Sequence, residues 1–349
     1  MSGPVIEPPG AVNLISDTQT RPSEGMRAAI AAAVVGDEQK GWDPTVIQLE
    51  ERVAELLGHE AGLFLPSGTM CNQIAIRLHC GRAGDEIILD RMAHPIVAEA
   101  GGPAVHAGAM TNPIDTPSGV FGSLELERAL RPAGDRYVPR SRLVSVEQST
   151  NLRGGRVWPL ETIDSVIKTA HMHGLATHMD GARLMNAAVA SGVTARAFAA
   201  GFDTGWLDFS KGLGAPVGAV LVGSRDLMDE AWRFKQMMGG ALRQAGILAA
   251  ACLYSLDHNV ERLDVDHAHA SMLASALASL PNATIDPENV ETNIVVFETS
   301  DARWVVDELQ KHGVLVGALS PHVVRAVTHL NVDRGGIDRA VAAFRQVLA

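Results

Sequence analysis

Residues 206–218 read Trp-Leu-Asp-Phe-Ser-Lys-Gly-Leu-Gly-Ala-Pro-Val-Gly, an apolar strand running out into Lys211, which is flanked by Ser210 and three glycines. A lysine at the carboxyl end of a strand is unusual, because lysine is rarely buried. Withdrawn from water it gives up its proton more readily and becomes a nucleophilic amine. The glycines let the backbone approach a bulky planar ligand. An exposed lysine in a glycine-rich turn fits the same letters, so the rest of the chain has to decide between the two.

Short apolar runs recur on both sides of this segment, at Gly62–Leu65, Glu86–Leu89, Leu143–Val146, Ala176–His178 and Val217–Val222, and helical stretches separate most of them. That alternation predicts βα units and a mostly parallel sheet covered on both faces. A helical pattern runs from Pro22 to Gly36. Another follows Asp43, a candidate N-cap, with Pro44 at the first helical position, a stripe of Ile47, Leu49, Val53, Leu56 and Leu57, and Gly58 at its end. Past Ala250 a long helical stretch (Ile247–Leu277) leads to a strand Thr292–Phe297, a helix Ala302–His312, a strand Val323–Thr328 and a helix Ile337–Leu348. The chain therefore divides into an N-terminal arm (1–20), a large α/β domain (21–250) and a smaller α/β domain (251–349).

Composition fits that class. Among 349 residues, 46% are apolar, 34 are glycine and only 4% are aromatic, which suits close helix–sheet packing. A formal charge of −11 argues against a nucleic-acid or anionic-membrane partner. Cys71, Cys80 and Cys252 form no CxxC motif, and no HExxH occurs among the 13 histidines, so neither a disulfide framework nor a metal site is expected. The pairs His171/His173 and His267/His269 read as surface histidines, since i, i+2 spacing turns the rings apart on a helix. With no signal peptide and no apolar run of about 18 residues, a cytoplasmic protein is the expectation.

Two more strand ends carry chemistry. Thr-His-Met-Asp-Gly-Ala-Arg-Leu (177–184) places Asp180 31 residues before Lys211, about one βα unit, so both can face one crevice. A buried Asp needs a cation or strong hydrogen bonds. A pyridinium nitrogen is one such cation, and a helix cap is the simpler alternative. Leu-Pro-Ser-Gly-Thr-Met-Cys-Asn (65–72) sets Ser, Gly and Thr at a helix start, an anion site without Walker A or GxGxxG spacing, or else a plain capped turn. A phosphate cup, a carboxylate and a lysine, in that order and each at a strand end, together describe a fold-type I pyridoxal-phosphate site.

At this point the chain resembles the threonine aldolase family, grouped with the aromatic amino acid β-eliminating lyases. The likeness runs from about Asn13 to the C-terminus through SDTQTRPSEGM, GDEQKGWDPTV, LPSGTMCN, AHPIVAEAGG, GGRVWPLE, HGLATHMDGARLMNA, FSKGLGAPVG, GGALRQAG and RAVTHLNV. The resemblance implies pyridoxal 5′-phosphate held as a Schiff base on Lys211, with Asp180 on the ring nitrogen and His94 stacked on the ring near the substrate's β-carbon. It implies Gly68, Thr69 and Ser210 around the phosphate, and Arg243 reaching a phosphate across a subunit interface of a homotetramer. Ser16, Arg183 and Arg325 match positions that bind the α-carboxylate of an amino acid substrate, a role suited to the arginine fork.

Departures cluster at the substrate end. Lys40 and Trp42 stand in KGWDPT where the family has Tyr and Glu, Tyr137 replaces a second active-site histidine, and Thr150 of EQSTN replaces another. Tyr137 is thus placed at the substrate. The expected reaction is retro-aldol cleavage of a β-hydroxy-α-amino acid other than threonine. Alternatives are β-elimination or dehydration on the same cofactor, or a silent protein that kept the fold.

Overall fold

The computed structural model describes residues 8–349, so part of the expected arm, residues 1–7, lies outside the described residues. A short strand, β1 (Val12–Asn13), precedes seven that form the central sheet: β2 (Ala61–Leu65), β3 (Asp85–Asp90), β4 (Met110–Ile114), β5 (Arg140–Glu147), β6 (Ala176–Asp180), β7 (Thr204–Asp208) and β8 (Ala219–Gly223). Their spatial order is β2-β8-β7-β6-β5-β3-β4. Only β8 runs against its neighbours, β7 and β2. The carboxyl ends of the other six therefore share one edge, and that edge gathers the functional residues.

The strands are apolar because both faces are covered; β7 and β8 are buried at every position. β4 escaped the sequence reading. It sits at the sheet edge, half exposed, and carries Pro113, which an edge strand tolerates and a central one does not.

A second core joins β1 to the C-terminal part. Here Val12 and Leu14 pack with residues of the helices Leu263–Leu277, Ala302–Lys311 and Arg334–Leu348. These cover a three-stranded antiparallel sheet of β9 (Ile294–Glu298), β11 (Gly317–Ser320) and β12 (Val323–Val327), while β10 (Val314–Leu315) pairs parallel with β1.

Several local expectations change. The helix expected to reach Gly36 ends at Ala31, with Val34 and Val35 exposed and the Gly36 N–H captured by Asp43. The stretch Ile247–Leu277 is two helices, Gly246–His258 and Leu263–Leu277. They break where the Asn259 amide turns to the Leu213 carbonyl at 2.7 Å. The first packs its Ala249, Ala251 and Cys252 into the large-sheet core, and Leu263 still belongs there, whereas Ala270 onward packs into the second core. His269 is buried, not at the surface, and His267 is half-buried with its Nε2 3.2 Å from Asn186 Nδ2. His267 faces the helix Leu184–Ser191, while His269 lies beside Val332 and Asp333, which cover the other side of their helix. Ile47 is exposed, and Val46 takes its place in the buried stripe.

Asp43 shows how one side chain can pin three segments. It is buried and accepts from Thr45 and Val46 as the N-cap of helix Pro44–Leu57, and from Gly36 and Gly246 in two other segments. Asp43→Ala is expected to cost about 2–4 kcal/mol, from a lost cap and orphaned buried N–H groups. The measurement is urea unfolding, where the midpoint should fall while the slope stays constant.

Candidate active site

Lys211 leaves β7 into a tight loop closed by Phe209 N–H to Gly218 carbonyl (3.0 Å), Ala215 N–H to Phe209 carbonyl (2.8 Å) and Gly214 N–H to Lys211 carbonyl (2.9 Å). The loop needs Gly218, which has φ +131° and where a Cβ would sit 2.6 Å from the Cys252 sulfur. Lys211 is thereby held half-buried, with its Nζ donating to Asp208 Oδ2 at 2.9 Å. Asp208, itself buried, also accepts from the Ser210 hydroxyl at 3.0 Å. The Thr20 hydroxyl reaches over from the N-terminal segment to the Lys211 carbonyl at 2.8 Å.

Asp180, at the end of β6, is 1% exposed. Its Oδ2 accepts from Asn72 Nδ2 (2.8 Å) and its Oδ1 from Ala182 N–H (3.0 Å), and among the described residues no cation is paired with it. Burial raises its pKa, against the opposing pull of Asn72, His94 and Lys211. Glu147 is its register partner on β5. Burial first, then the Asp180 charge, pushes the Glu147 carboxyl up to about 8.

His94 starts a short helix after β3, and its Nδ1 lies 2.8 Å from Glu99 Oε1. That bond raises the imidazole pKa above its ordinary value, outweighing desolvation. Asn72 and Gln73 in turn donate to Glu99.

After β2, the helix Gly68–His79 starts under Ser67, whose hydroxyl caps Met70 N–H at 3.2 Å. Its first-turn N–H groups have no acceptor within the helix. Gly68 is packed against the Trp206 indole, 2.1 Å from where a Cβ would fall, so only glycine lets this turn come so close.

Opposite these, Arg183 donates from Nε (2.8 Å) and a terminal nitrogen (2.6 Å) to the two oxygens of buried Asp17. The bidentate grip expected for a substrate carboxylate is thus taken by Asp17, leaving one terminal nitrogen of Arg183. Ser16 adjoins the pair, its hydroxyl 3.4 Å from Asp17. Arg325 on β12 donates to Asn151 Oδ1 at 2.9 Å. Its Nε is buried without a hydrogen-bond partner among the described residues. Burial, and next the Arg183 charge, lowers its pKa, the condition an arriving anion would relieve.

Two expected residues stand apart. Tyr137 is 97% exposed, and its hydroxyl makes no hydrogen bond among the described residues. The proline- and glycine-rich segment around it holds it at the surface, with Asp135 accepting its N–H at 2.8 Å. Arg243 is exposed beside Asp37, 3.2 Å away. Thr150 is buried and accepts from Arg156 N–H at 3.0 Å, while Lys40 and Trp42 are exposed.

Residues 13–300 match the family described as Beta-eliminating lyase. The chain belongs to the β-eliminating lyase family. The low specificity L-threonine aldolase of Escherichia coli strain K12 is 40% identical over 343 residues, covering 97% of this chain and 99% of that protein. The low-specificity L-threonine aldolase 1 of Arabidopsis thaliana is 36% identical over 345 residues, covering 97% and 96%. A solved threonine aldolase structure from Leishmania major superposes with a TM-score of 0.83 at 18% identity, covering 97% of this chain and 99% of that one, and so shares its fold.

The cofactor of this β-eliminating lyase family member is pyridoxal 5′-phosphate. The residues fit it: Asp180 is a buried carboxylate in want of a cation, and Gly68 opens the helix whose Asn72 donates to Asp180. Among the described residues no group of His, Cys, Asp and Glu could hold a metal, and no helix is long and apolar enough to cross a membrane.

The Arg183–Asp17 pair sets a pH dependence of stability. Burial alone would raise the Asp17 pKa, but the Arg183 charge and hydrogen bonds bring it from 3.8 down to about 2. A depressed carboxylate stabilises fully above its unfolded value and loses that contribution as pH falls through its folded value. Asp17→Asn is therefore expected to lose about 2–3 kcal/mol relative to the parent at pH 7, a gap that closes between pH 4 and pH 2. Unfolding in urea across that range measures it.

Proposed function

We propose that this lyase cleaves a β-hydroxy-α-amino acid into glycine and an aldehyde by retro-aldol chemistry. The reading rests on one observation: an amine (Lys211), an uncompensated buried carboxylate (Asp180) and an imidazole (His94) follow strands that end on the same sheet edge. The threonine aldolase relatives support it.

When bound, pyridoxal phosphate supplies the electron sink that such a cleavage needs. Lys211 would hold it through its amine, Asp180 would keep the ring nitrogen protonated, and His94 would lie over the ring. Gly68, Thr69 and Ser210 would receive the phosphate, joined by Arg243 of a neighbouring copy in a cytoplasmic homotetramer, a role its exposure supports. Arg325 has the free buried donor for the α-carboxylate, with Ser16 and the remaining nitrogen of Arg183 beside it.

His94 gives its Nδ1 to Glu99, which leaves Nε2 to take the β-hydroxyl proton. The Cα–Cβ bond then breaks, its electron pair stays on the Cα side, and Cβ departs as the aldehyde carbon. Protonation at Cα completes glycine. Dehydration or β-elimination is the second reading, favoured by the family's description and by Glu147, which burial keeps protonated near neutrality as an acid.

Because His94 must be neutral to act as a base and Glu99 raises its pKa above 6.5, kcat/KM is expected to climb with pH on an acid limb above that value. Glu99→Gln should move the limb to lower pH; an unmoved limb would assign it to another group.

Lys40, Trp42 and Thr150 depart from the family pattern, and Tyr137, in place of a second active-site histidine, lies away from the crevice, so threonine itself is expected to be a weak substrate. A screen of β-hydroxy amino acids, scored for glycine, aldehyde, keto acid and ammonia, tests both claims. Keto acid and ammonia without glycine would establish elimination, and threonine as the best substrate would overturn the altered specificity. His94→Asn should abolish cleavage while the cofactor stays bound.

A further inference from the structure

Asn72 lies one turn into the helix Gly68–His79, is 1% exposed, and makes four hydrogen bonds that use its whole amide. The orientation of that amide is fixed by chemistry. Trp206 Nε1 can only donate, and it lies 2.9 Å from Asn72 Oδ1. The NH2 group must therefore face the other way, toward Asp180 Oδ2 and Glu99 Oε1, both at 2.8 Å. One proton goes to each carboxylate.

The tautomers behind it follow in turn. His178 Nε2, 3.1 Å from the same Oδ1, has to donate, so its Nδ1 accepts from the Thr204 hydroxyl at 2.9 Å. Thr204 has then spent its proton and accepts from His79 Nε2 at 3.0 Å. Burial pushes His178 down to about 3 and His79 to about 4, so both stay neutral and the directions do not reverse near neutral pH. Every donor in the series His79, Thr204, His178, Asn72 points toward Asp180 and Glu99. Glu99 passes the series on to His94.

We infer that Asn72 is a positioning residue that couples the ring-nitrogen partner Asp180 to the base His94, by dividing one amide group between Asp180 and Glu99. The inference rests on the roles given above to Asp180 and His94. Asn72 gives one N–H to each of the two carboxylates and fixes the oxygen that Asp180 presents. Through Glu99 it fixes the azimuth of the His94 ring. A side chain that merely filled space would need none of this donor order.

The test uses the holoenzyme and reads two quantities besides turnover: the dissociation constant of pyridoxal phosphate, and the pH midpoint of its visible absorbance. Asn72→Asp keeps the shape and both acceptor contacts but cannot donate to either carboxylate. It is expected to weaken cofactor binding about tenfold or more, to shift the absorbance midpoint, and to move the acid limb of kcat/KM with it. Combined with Asp180→Asn, the loss in cofactor affinity should be less than the product of the two single losses, since one contact is removed twice. Adding Glu99→Gln to Asn72→Asp restores a donor–acceptor pair between positions 72 and 99, so the shift it causes in the acid limb should differ from the shift Glu99→Gln causes alone. Purely multiplicative effects, or an absorbance midpoint and acid limb that do not move, would overturn the inference while leaving the cofactor reading intact. Should Asp180→Asn alone leave affinity and spectrum unchanged, the underlying reading of Asp180 fails instead. Asn72→Ser, too short to reach both carboxylates, is measured alongside; loss of folded protein in both Asn72 variants would make Asn72 a structural residue and refute the coupling.

Discussion

Asp180 is a carboxylate withdrawn from water without a cation in return, and the arrangement around it follows from that. Burying an unpaired charge costs several kcal/mol, so the chain surrounds it with donors and keeps competing cations occupied. Of the two basic side chains whose charge reaches it, His94 and Lys211, the lysine is held by Asp208 at 2.9 Å. Glu99 engages His94, and Glu147, pressed against Asp180 by strand register, keeps its proton near neutrality. The carboxylates at this edge are thus sorted by partner, and among the described residues Asp180 has no salt-bridge partner.

The same edge also joins the parts of the chain. Asp17 sits between Arg183, just beyond β6, and Asn293, just before β9, whose amide donates to it at 3.2 Å. Thr20, three residues on, holds the Lys211 carbonyl. The N-terminal segment therefore touches the lysine loop, the arginine beside Asp180 and the C-terminal sheet at once. A displacement there would be felt at both ends of the site. This is a reason for Arg183 to spend its fork on Asp17 and leave the free buried donor on Arg325.

Much of this was legible in the sequence, because strand ends announce themselves. An apolar run that stops at Asp180, or at Ser210 and Lys211, marks both the sheet and the edge where chemistry collects. The parallel sheet and two of the C-terminal strands were read on that basis, the Asp43 cap from the Asp-Pro pair that opens its helix, while Val314–Leu315 and Gly317–Ser320 were not read. What escaped had no local signal. Asp208 is a single polar letter within an apolar strand, and Asn72 looks like any residue of a helix's first turns. Their roles depend on which strands are neighbours, which periodicity does not encode. β4 was missed because an edge strand needs neither strict alternation nor freedom from proline. Motif matching placed Tyr137 at the substrate, but a motif carries no information about a surface segment that folds away from the crevice. The burial of His269 was hidden for a related reason: i, i+2 spacing describes one helix, whereas the neighbouring segments decide which side is covered.

The site has a buried half and an exposed half, and the two obey different rules. Asp180, Asn72, Glu99 and Asp208 lie where water is excluded, so a misplaced donor there is felt at full strength. Thr69, at the helix start, and Trp42 are exposed in the single chain, where water and salt screen the polar contacts around them. Substitutions at exposed positions disturb folding little. Substitutions in the buried half strike the fold and the cofactor together. The pattern of departures follows that division: every one noted at Lys40, Trp42 and Tyr137 falls on exposed positions, and Thr150, the buried exception, is small enough to satisfy its hydroxyl on the Arg156 backbone. Burial thus holds the residues around Asp180 fixed, while the exposed positions are free to vary.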